Sequence, residues 1–209
     1  MISDSYKTIR KETSAEFTEK KSIFIGYICP IDTEADAHDF IRKIGEKHAS
    51  ATHNVYAYIN REGNAARYSD AGEPQGTAGV PVFEVLKREE LTGVCVVVTR
   101  YFGGILLGAG GLVRAYSKAC AMAVEASGIC VYKKHVMLSC EADYSIAGKL
   151  NYEFPKRGAA HIETSFTDKV KYDFMCLPEN VGKLEGFLSD VSAGQLKLSV
   201  MGEKFAPED

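Results

Sequence analysis

The sequence predicts an α+β protein of two domains, and three observations lead to that prediction. Apolar runs of strand length recur between segments that have the apolar spacing of a helix. Gly128 stands where it would end the last helical segment of the first half. After it the order β-α-β-β-α-β follows, which is the split motif of ferredoxin-like domains. We therefore place the first domain at residues 1–130 and the second at residues 134–209.

The first half opens with a predicted strand, KSIFIGYICPI, and a predicted helix, ADAHDFIRKIGEKHA. Thr33 and Asp36 have the spacing of an acidic capping box at the start of that helix. Apolar residues recur within the helix at i, i+3, i+4 and i+7, which indicates one face packed on a sheet. The strand HNVYAYIN follows and ends at REGN, a turn-forming stretch.

Two glycine-rich loops come next, one on each side of the predicted buried strand GVCVVVTRYF. The first loop leads into a short helix with Pro81 in its opening turn, and the second leads into the helix LVRAYSKACAMAVEAS. Three glycines lie in residues 72–79 and five in residues 103–111, of 19 in the chain. Since glycine is used where φ is positive or where another group approaches the backbone, both loops are expected to pack closely or to bind a ligand.

The second half begins after SGICVYKK, which is expected to form a turn, and its hydrophobic pattern is more regular than that of the first half. HVMLSCEAD predicts a strand and YSIAGKLNYEFPKRG a helix. AAHIETSF and KVKYDFMCL predict two strands joined by TDK. The helix ENVGKLEGFLSDVSAG and the strand QLKLSVMGEKF complete the β-α-β-β-α-β order.

Composition and charge exclude several classes of function. The 209 residues are 45% hydrophobic and 25% charged, as in ordinary globular proteins, and the net charge is -3. Lys plus Arg balance Asp plus Glu over residues 1–133, so we expect neither a membrane protein nor a reader of DNA sequence. With no signal peptide or spanning segment in the pattern, we expect a cytoplasmic protein. The six cysteines have no C-x-x-C spacing, which indicates free thiols and no metal.

The candidate site is predicted from charge beside the second glycine-rich loop. Arg114 and Lys118 lie early in the following helix, where cations are unfavourable unless an anion is close. That anion is either a carboxylate of the first loop, Asp70 or Glu73, or a bound phosphate on the backbone amides of the second loop. We expect the two loops to form a binding cleft. Its predicted residues are His53, Asp70, Glu73, Thr77, Arg100, Tyr101, Gly103, Gly104, Gly110, Gly111, Arg114 and Lys118.

Known cofactor and catalytic motifs do not fit these loops. No Lys-Ser or Lys-Thr follows the glycines of a Walker A loop, and a dinucleotide fingerprint starting at Gly108 would need glycine in place of Val113. Ser69 and Ser117 have no histidine beside them in sequence, and only His53, at a strand start, could reach a shared cleft. We therefore expect no cofactor and no catalytic residues, and a binding protein more than an enzyme.

Three stretches, ATHNVYAY, YSDAGEPQGTAGVPVFEVL and VVVTRYFGGILLGAGGLVRAYSKA, resemble the signature of the IMPACT family. The whole chain resembles the family's bacterial two-domain form. The resemblance implies a first domain with a mixed sheet and helices on one face, as in a ribosomal-protein domain, elongation factor G domain IV and small-molecule kinases. It implies a second, ferredoxin-like domain similar to those of elongation factor G. Asn54 and Ala71 depart from the family's histidine pair and carboxylate pair, so roles that need those pairs are not carried over.

The resemblance also implies a link to translation, because eukaryotic members of the family regulate it with an additional N-terminal domain. For this chain we expect a partner such as RNA or a ribosome-associated protein, with any RNA contact confined to Arg67, Arg100, Arg114 and Lys118. Two alternatives stay open: an enzyme or sensor for a small anionic, phosphorylated metabolite, and a protein-interaction scaffold. A closed pocket would favour the metabolite, an open groove a polymer, and a filled, salt-bridged interior the scaffold.

Overall fold

The structure is a computed structural model that describes residues 4–61 and 64–208. Glu62 and Gly63, the centre of the expected REGN turn, lie outside the described residues. The helices are α1 (Glu34–Lys47), α2 (Gly79–Arg88), α3 (Ala109–Ser127), α4 (Tyr144–Lys156) and α5 (Pro178–Ser192). The strands are β1 (Ser5–Ile9), β2 (Thr13–Glu19), β3 (Ser22–Pro30), β4 (His53–Ile59), β5 (Ala66–Ser69), β6 (Val94–Tyr101), β7 (Ile129–Ala142), β8 (Ala160–Phe166), β9 (Val170–Cys176) and β10 (Ser199–Pro207).

The chain divides into two compact units, residues 1–131 and 132–209. The division falls inside β7, so the expected turn at SGICVYKK is wrong for most of its length. Gly128, at a φ of 71°, ends α3 by itself, as the sequence indicates. The residues after it include β-branched and aromatic side chains, which favour extended backbone, and they enter the strand at once.

The first unit is built on an antiparallel sheet with the strand order β2-β3-β6-β4-β5. The side chains of Val94, Val96 and Val98 pack with α2 and α3, while those of Cys95 and Val97 pack with α1 on the opposite face. The sheet is therefore not mixed, and its helices cover two faces instead of the implied one. The cause lies in β6, where every residue from 94 to 98 is 0% exposed, so both faces of the sheet need a covering layer.

The predicted elements of this unit are present, and the capping box of α1 forms with both of its hydrogen bonds, between Thr33 and Asp36. The sequence analysis missed β1, β2 and β5. Strand β2 lies at the sheet edge and alternates between half-buried and exposed residues, most of them polar, so it lacks a clear apolar period.

The second unit has the predicted order β-α-β-β-α-β, and its strands lie side by side as β10-β7-β9-β8 with every pairing antiparallel. Helices α4 and α5 cover one face, where Phe154, Tyr172 and Leu184 are fully buried. The expected two-domain α+β fold is confirmed at this level. Within the described ranges, no helix is long and apolar enough to cross a membrane, and no cluster of three His, Cys, Asp or Glu residues could hold a metal ion.

Candidate functional site

The register of the first sheet places His53 at the start of β4 directly opposite Arg100 near the end of β6. Residues opposite each other in an antiparallel pair project to the same face of the sheet. That face is covered by α2 and α3, and the first glycine-rich loop runs beside it before α2 begins. The sheet thus brings together two of the predicted cleft residues that lie 47 positions apart in sequence.

Glu73, in the first glycine-rich loop, is the acceptor at the centre of this arrangement. Its Oε1 accepts a hydrogen bond from Nη1 of Arg100 at 2.6 Å and another from the hydroxyl of Tyr116 at 2.7 Å. Glu73 is 8% exposed and Arg100 is 5% exposed, so the ion pair is buried. Burial, followed by the hydrogen bond to Glu73, raises the pKa of Tyr116, which keeps its phenol protonated as a donor.

The Arg100 guanidinium lies between two aromatic rings, at 5.4 Å from the ring centre of Phe24 and 5.5 Å from that of Phe102. Its Nε is buried without a hydrogen-bond partner among the residues that the structure describes. The backbone N–H of Phe102 donates to the hydroxyl of Thr52 at 3.0 Å, which fixes the residue over Arg100. The Phe102 ring, 45% exposed, therefore sits on a buried cation at the surface of the unit.

His53 lies at the mouth of the same cluster, with its side chain 19% exposed. Its Nδ1 is 2.9 Å from the carbonyl oxygen of Ala71. Because a carbonyl can only accept, Nδ1 carries the hydrogen, and a neutral His53 keeps its lone pair on Nε2. That Nε2 is 3.8 Å from Oε1 of Glu73. His53 thus holds the first glycine-rich loop against the sheet, and no hydroxyl or thiol in the described ranges is hydrogen-bonded to it.

Asp70 and Thr77 stabilise the conformation of the first loop. The prediction that they face Arg114 is wrong. The Asp70 carboxylate accepts from the backbone amides of Gly76 at 2.8 Å, Ala78 at 3.1 Å and Gly79 at 2.8 Å. Burial acts to raise the pKa of Asp70, but these amide hydrogen bonds outweigh it and lower the pKa. The Thr77 hydroxyl donates to the carbonyl of Pro74 at 2.6 Å. Asp70 is therefore an anion at the start of α2, and not the partner expected for Arg114 and Lys118 at the start of α3.

Tyr101 does not belong to the cleft, which corrects the prediction. It follows Arg100 in β6, and successive residues of a strand point to opposite faces. Its hydroxyl lies 2.9 Å from Nδ1 of His48, whose Nε2 lies 2.7 Å from the hydroxyl of Tyr27. Asn54 follows His53 in the same way and bonds to Thr99 on the α1 side of the sheet.

The cations Arg114 and Lys118 are also placed differently from the expectation. Both are exposed on α3, and Arg114 has no ion pair with any described residue. The ammonium of Lys118 lies 4.3 Å from the ring centre of Phe17, on the side of the sheet edge. Arg67 pairs with Glu34 at 3.3 Å on the α1 side, so the sheet separates it from the other three basic residues expected in one patch.

The glycines of the second loop mainly allow close backbone packing and tight turns. A Cβ on Gly103 would lie 2.0 Å from the carbonyl carbon of Lys21, so the loop rests directly on the β2–β3 turn. Gly108 caps α3 at a φ of 71°, and Gly104 has a φ of 81°. A Cβ on Gly111 would lie 2.9 Å from Cβ of Leu107, whereas one on Gly110 would meet only Nη1 of Arg114 at 3.6 Å.

The outer side of the second loop carries apolar side chains. Leu106 is 82% exposed, Ile105 42% and Val113 37%. Together with Phe102, Arg114 and Lys21 they form what we call the loop surface: Lys21, Phe102, Ile105, Leu106, Val113 and Arg114. Gly103 rests on the backbone of Lys21, which places the β2–β3 turn beside the second loop, and Val113 and Arg114 follow that loop in the first turns of α3.

The sequence analysis missed Tyr116, Phe102 and Leu106. Tyr116 had a detectable signal, because it lies on the apolar stripe of α3 with Leu112 and Ala119, and a buried tyrosine hydroxyl needs a partner. Phe102 and Leu106 had none, since the sequence does not tell which side of an apolar loop faces outward.

Two domain profiles match this chain, one in each of the two units. The profile of the Impact N-terminal domain matches residues 20–124, and that of a domain of unknown function (DUF1949) matches residues 140–195. The IMPACT family member YvyE of Bacillus subtilis (strain 168) is 36% identical over 192 residues, which are 91% of this chain and 88% of that protein. The IMPACT family member YigZ of Escherichia coli (strain K12) is 39% identical over 100 residues, 46% of this chain and 49% of that protein.

Similarity extends to three dimensions over nearly the whole length. A solved crystal structure of a hypothetical protein superposes with a TM-score of 0.62 at 25% sequence identity, covering 95% of this chain and 98% of the other. Three sequence stretches suggest a resemblance to the IMPACT family. The match of the N-terminal domain profile confirms it, and so does the identity to YvyE over most of both chains. This chain belongs to the IMPACT family.

Proposed function

We propose that this protein is a non-enzymatic binding protein linked to translation, and that it contacts a ribosome-associated partner through the loop surface. One observation carries the proposal. The charged groups of the first glycine-rich loop satisfy protein donors, Asp70 at three backbone amides and Glu73 at Arg100 and Tyr116. What faces solvent is the apolar loop surface with its cations, a composition typical of partner-binding sites.

Family membership supports the translation link, because the IMPACT family includes eukaryotic regulators of translation. The metabolite alternative has less support. A phosphate-binding site would need unpaired donors facing a pocket, and Arg100 is already committed to Glu73 inside a filled interior. By the criterion set from the sequence, a salt-bridged interior favours a protein-interaction scaffold over a metabolite sensor, and we propose that the protein it binds is a ribosome-associated one.

Sedimentation with purified bacterial ribosomes tests the proposal. We expect the full chain to pellet with ribosomes through a sucrose cushion and the Leu106→Asp variant to stay in the supernatant. Phe166→Asp is the matched control, because Phe166 is another exposed apolar side chain, 68% exposed, in the second unit. A chain that never pellets, or a Leu106→Asp variant that pellets like the parent, would refute the proposal.

A thermal-shift screen with inorganic phosphate, nucleotides and phosphosugars tests the alternative. A ligand that binds only the native state raises the melting temperature by mass action. We expect no shift with these compounds. A shift that disappears in Arg114→Ala would instead support the metabolite sensor.

A further inference from the structure

The loop surface combines exposed apolar side chains with exposed cations. Residues 91–124 contain no Asp or Glu, so every charge on the second loop and on most of α3 is positive. Lys20 and Lys21, in the β2–β3 turn, add two more exposed cations, and Glu19 precedes them as the last residue of β2. None of Lys20, Lys21 and Arg114 forms an ion pair with the residues that the structure describes.

The geometry of the surface is preformed. The Gly103 N–H donates to the hydroxyl of Ser22 at 3.1 Å, and the glycine rests on the Lys21 backbone. Lys20 and Lys21 themselves have positive φ values of 44° and 65°, which suit a tight hairpin turn. The Phe102 ring lies against Arg100, and the residue is 45% exposed. A partner therefore meets a fixed shape, which lowers the entropy lost on binding.

We propose that the loop surface binds a short protein segment in which aliphatic or aromatic side chains are flanked by Asp or Glu. The proposal rests on the proposed function and names the partner class of the same surface. Apolar side chains of the segment would cover Leu106, Ile105 and Val113, and its carboxylates would pair with Arg114 and the lysines of the β2–β3 turn.

The observations favour a protein segment over RNA and over a lipid surface. RNA-binding surfaces rely on many cations and on stacked aromatic rings, whereas residues 1–133 carry no net charge and three of the four apolar residues here are aliphatic. A membrane-inserting loop would expose its apolar side chains fully. Here Leu106 is 82% exposed, while Phe102, Ile105 and Val113 are each less than half exposed.

Selection from a phage-displayed library of short random peptides tests the inference on the full chain. We expect the enriched peptides to combine Asp or Glu with Leu, Ile or Phe, and the enrichment to disappear against Leu106→Asp. A synthetic peptide of the enriched sequence should then bind at least about tenfold more weakly to Leu106→Asp and to Arg114→Glu, by fluorescence anisotropy.

Matched controls separate surface chemistry from misfolding. Phe166→Asp and Lys149→Glu change an exposed apolar residue and an exposed cation of the second unit, and both should keep the parent affinity. An unchanged melting temperature for Leu106→Asp would show that the variant is folded. Enrichment without acidic residues, or peptide binding that ignores Leu106→Asp and Arg114→Glu, would overturn the inference. Leu106-dependent binding of poly(U) RNA or of phosphatidylglycerol vesicles without any selected peptide would do the same.

Competition distinguishes this inference from the proposed function. If the parent pellets with ribosomes in a Leu106-dependent way but the peptide does not displace it, the partner class is wrong and the translation link stands. If the parent never pellets while the peptide binds at the loop surface, the translation link is wrong and the partner class stands.

Discussion

At the residue scale, the interior of the first unit depends on Glu73. Its carboxylate receives Arg100 and Tyr116 in a region where neither charge is hydrated. An intact buried ion pair adds little net stability, because desolvation offsets the attraction between the charges. Removing one partner is different, since the other charge is then buried alone.

Replacing Glu73 by glutamine should therefore destabilise the first unit by about 3–5 kcal/mol, the usual loss when one member of a buried pair is removed. Urea unfolding followed by circular dichroism measures the change. Glu90→Gln is the matched control, because Glu90 pairs with Lys7 at the surface with its side chain 75% exposed, and it should have little measurable effect. Equal stability of the two variants would contradict the buried pair.

Asp70 makes the stability of the first unit depend on pH in the acidic range. Because its pKa is lowered in the folded state, its contribution is fully present above the unfolded value near 3.8 and is lost as the pH falls below that value toward the folded pKa. At neutral pH, Asp70→Asn should lose about 1.5–3 kcal/mol, the range for a hydrogen bond to a charged group.

The measurement is the free energy of unfolding of parent and variant across that pH range. The difference between them should shrink as the pH falls below 3.8. Asp190→Asn, at an exposed position of α5, serves as the control and should follow the parent at every pH. A constant difference for Asp70→Asn would show that the carboxylate charge is not what holds the loop.

At the element scale, hydrophobic periodicity was enough to predict most helices and strands. To predict which face of an element a residue lies on, one also needs to know the neighbouring elements. Strand β6 is apolar on both faces and shows no alternation in its sequence, but strand geometry alone places the adjacent residues Arg100 and Tyr101 on opposite faces. In α3, the stripe of Leu112, Tyr116 and Ala119 likewise turns Arg114 outward. The pairing of Glu73 with Arg100 depends on the path of a glycine-rich loop, which no periodicity describes.

The β6–α3 connection provides a test of why its glycines are needed. Gly103→Ala would push a Cβ into the Lys21 backbone and should cost at least about 2 kcal/mol. Gly45→Ala, inside α1, meets no heavy atom within 4 Å and should instead stabilise the chain by roughly 0.5–1 kcal/mol, because alanine favours a helix over glycine. Thermal unfolding of both variants measures the two signs. A neutral Gly103→Ala would mean that the loop does not rest on the turn.

At the scale of the whole molecule, the division into two units accounts for the two kinds of hydrophobic pattern in the sequence. The second unit has the predicted order of elements. Its helices cover only one face of the sheet, so its strands carry a clearer hydrophobic pattern. The first unit was harder to predict, since its sheet is covered on both faces and its edge strand β2 carries a weak apolar pattern. The loop surface was the least predictable feature, because the exposure of Phe102 and Leu106 is a property of the folded loop.

Separate cores should unfold as separate transitions, which scanning calorimetry can resolve. Phe154→Ala removes a fully buried ring that packs on Tyr172 and Phe174, and it should cost the second unit about 3–5 kcal/mol. Glu73→Gln should lower only the transition of the first unit, and Phe154→Ala only that of the second. Because the two substituted residues lie in different units, their effects are expected to add, and the double variant should show both shifts unchanged. One transition that moves with either variant would instead mean that the two units unfold as a single cooperative body.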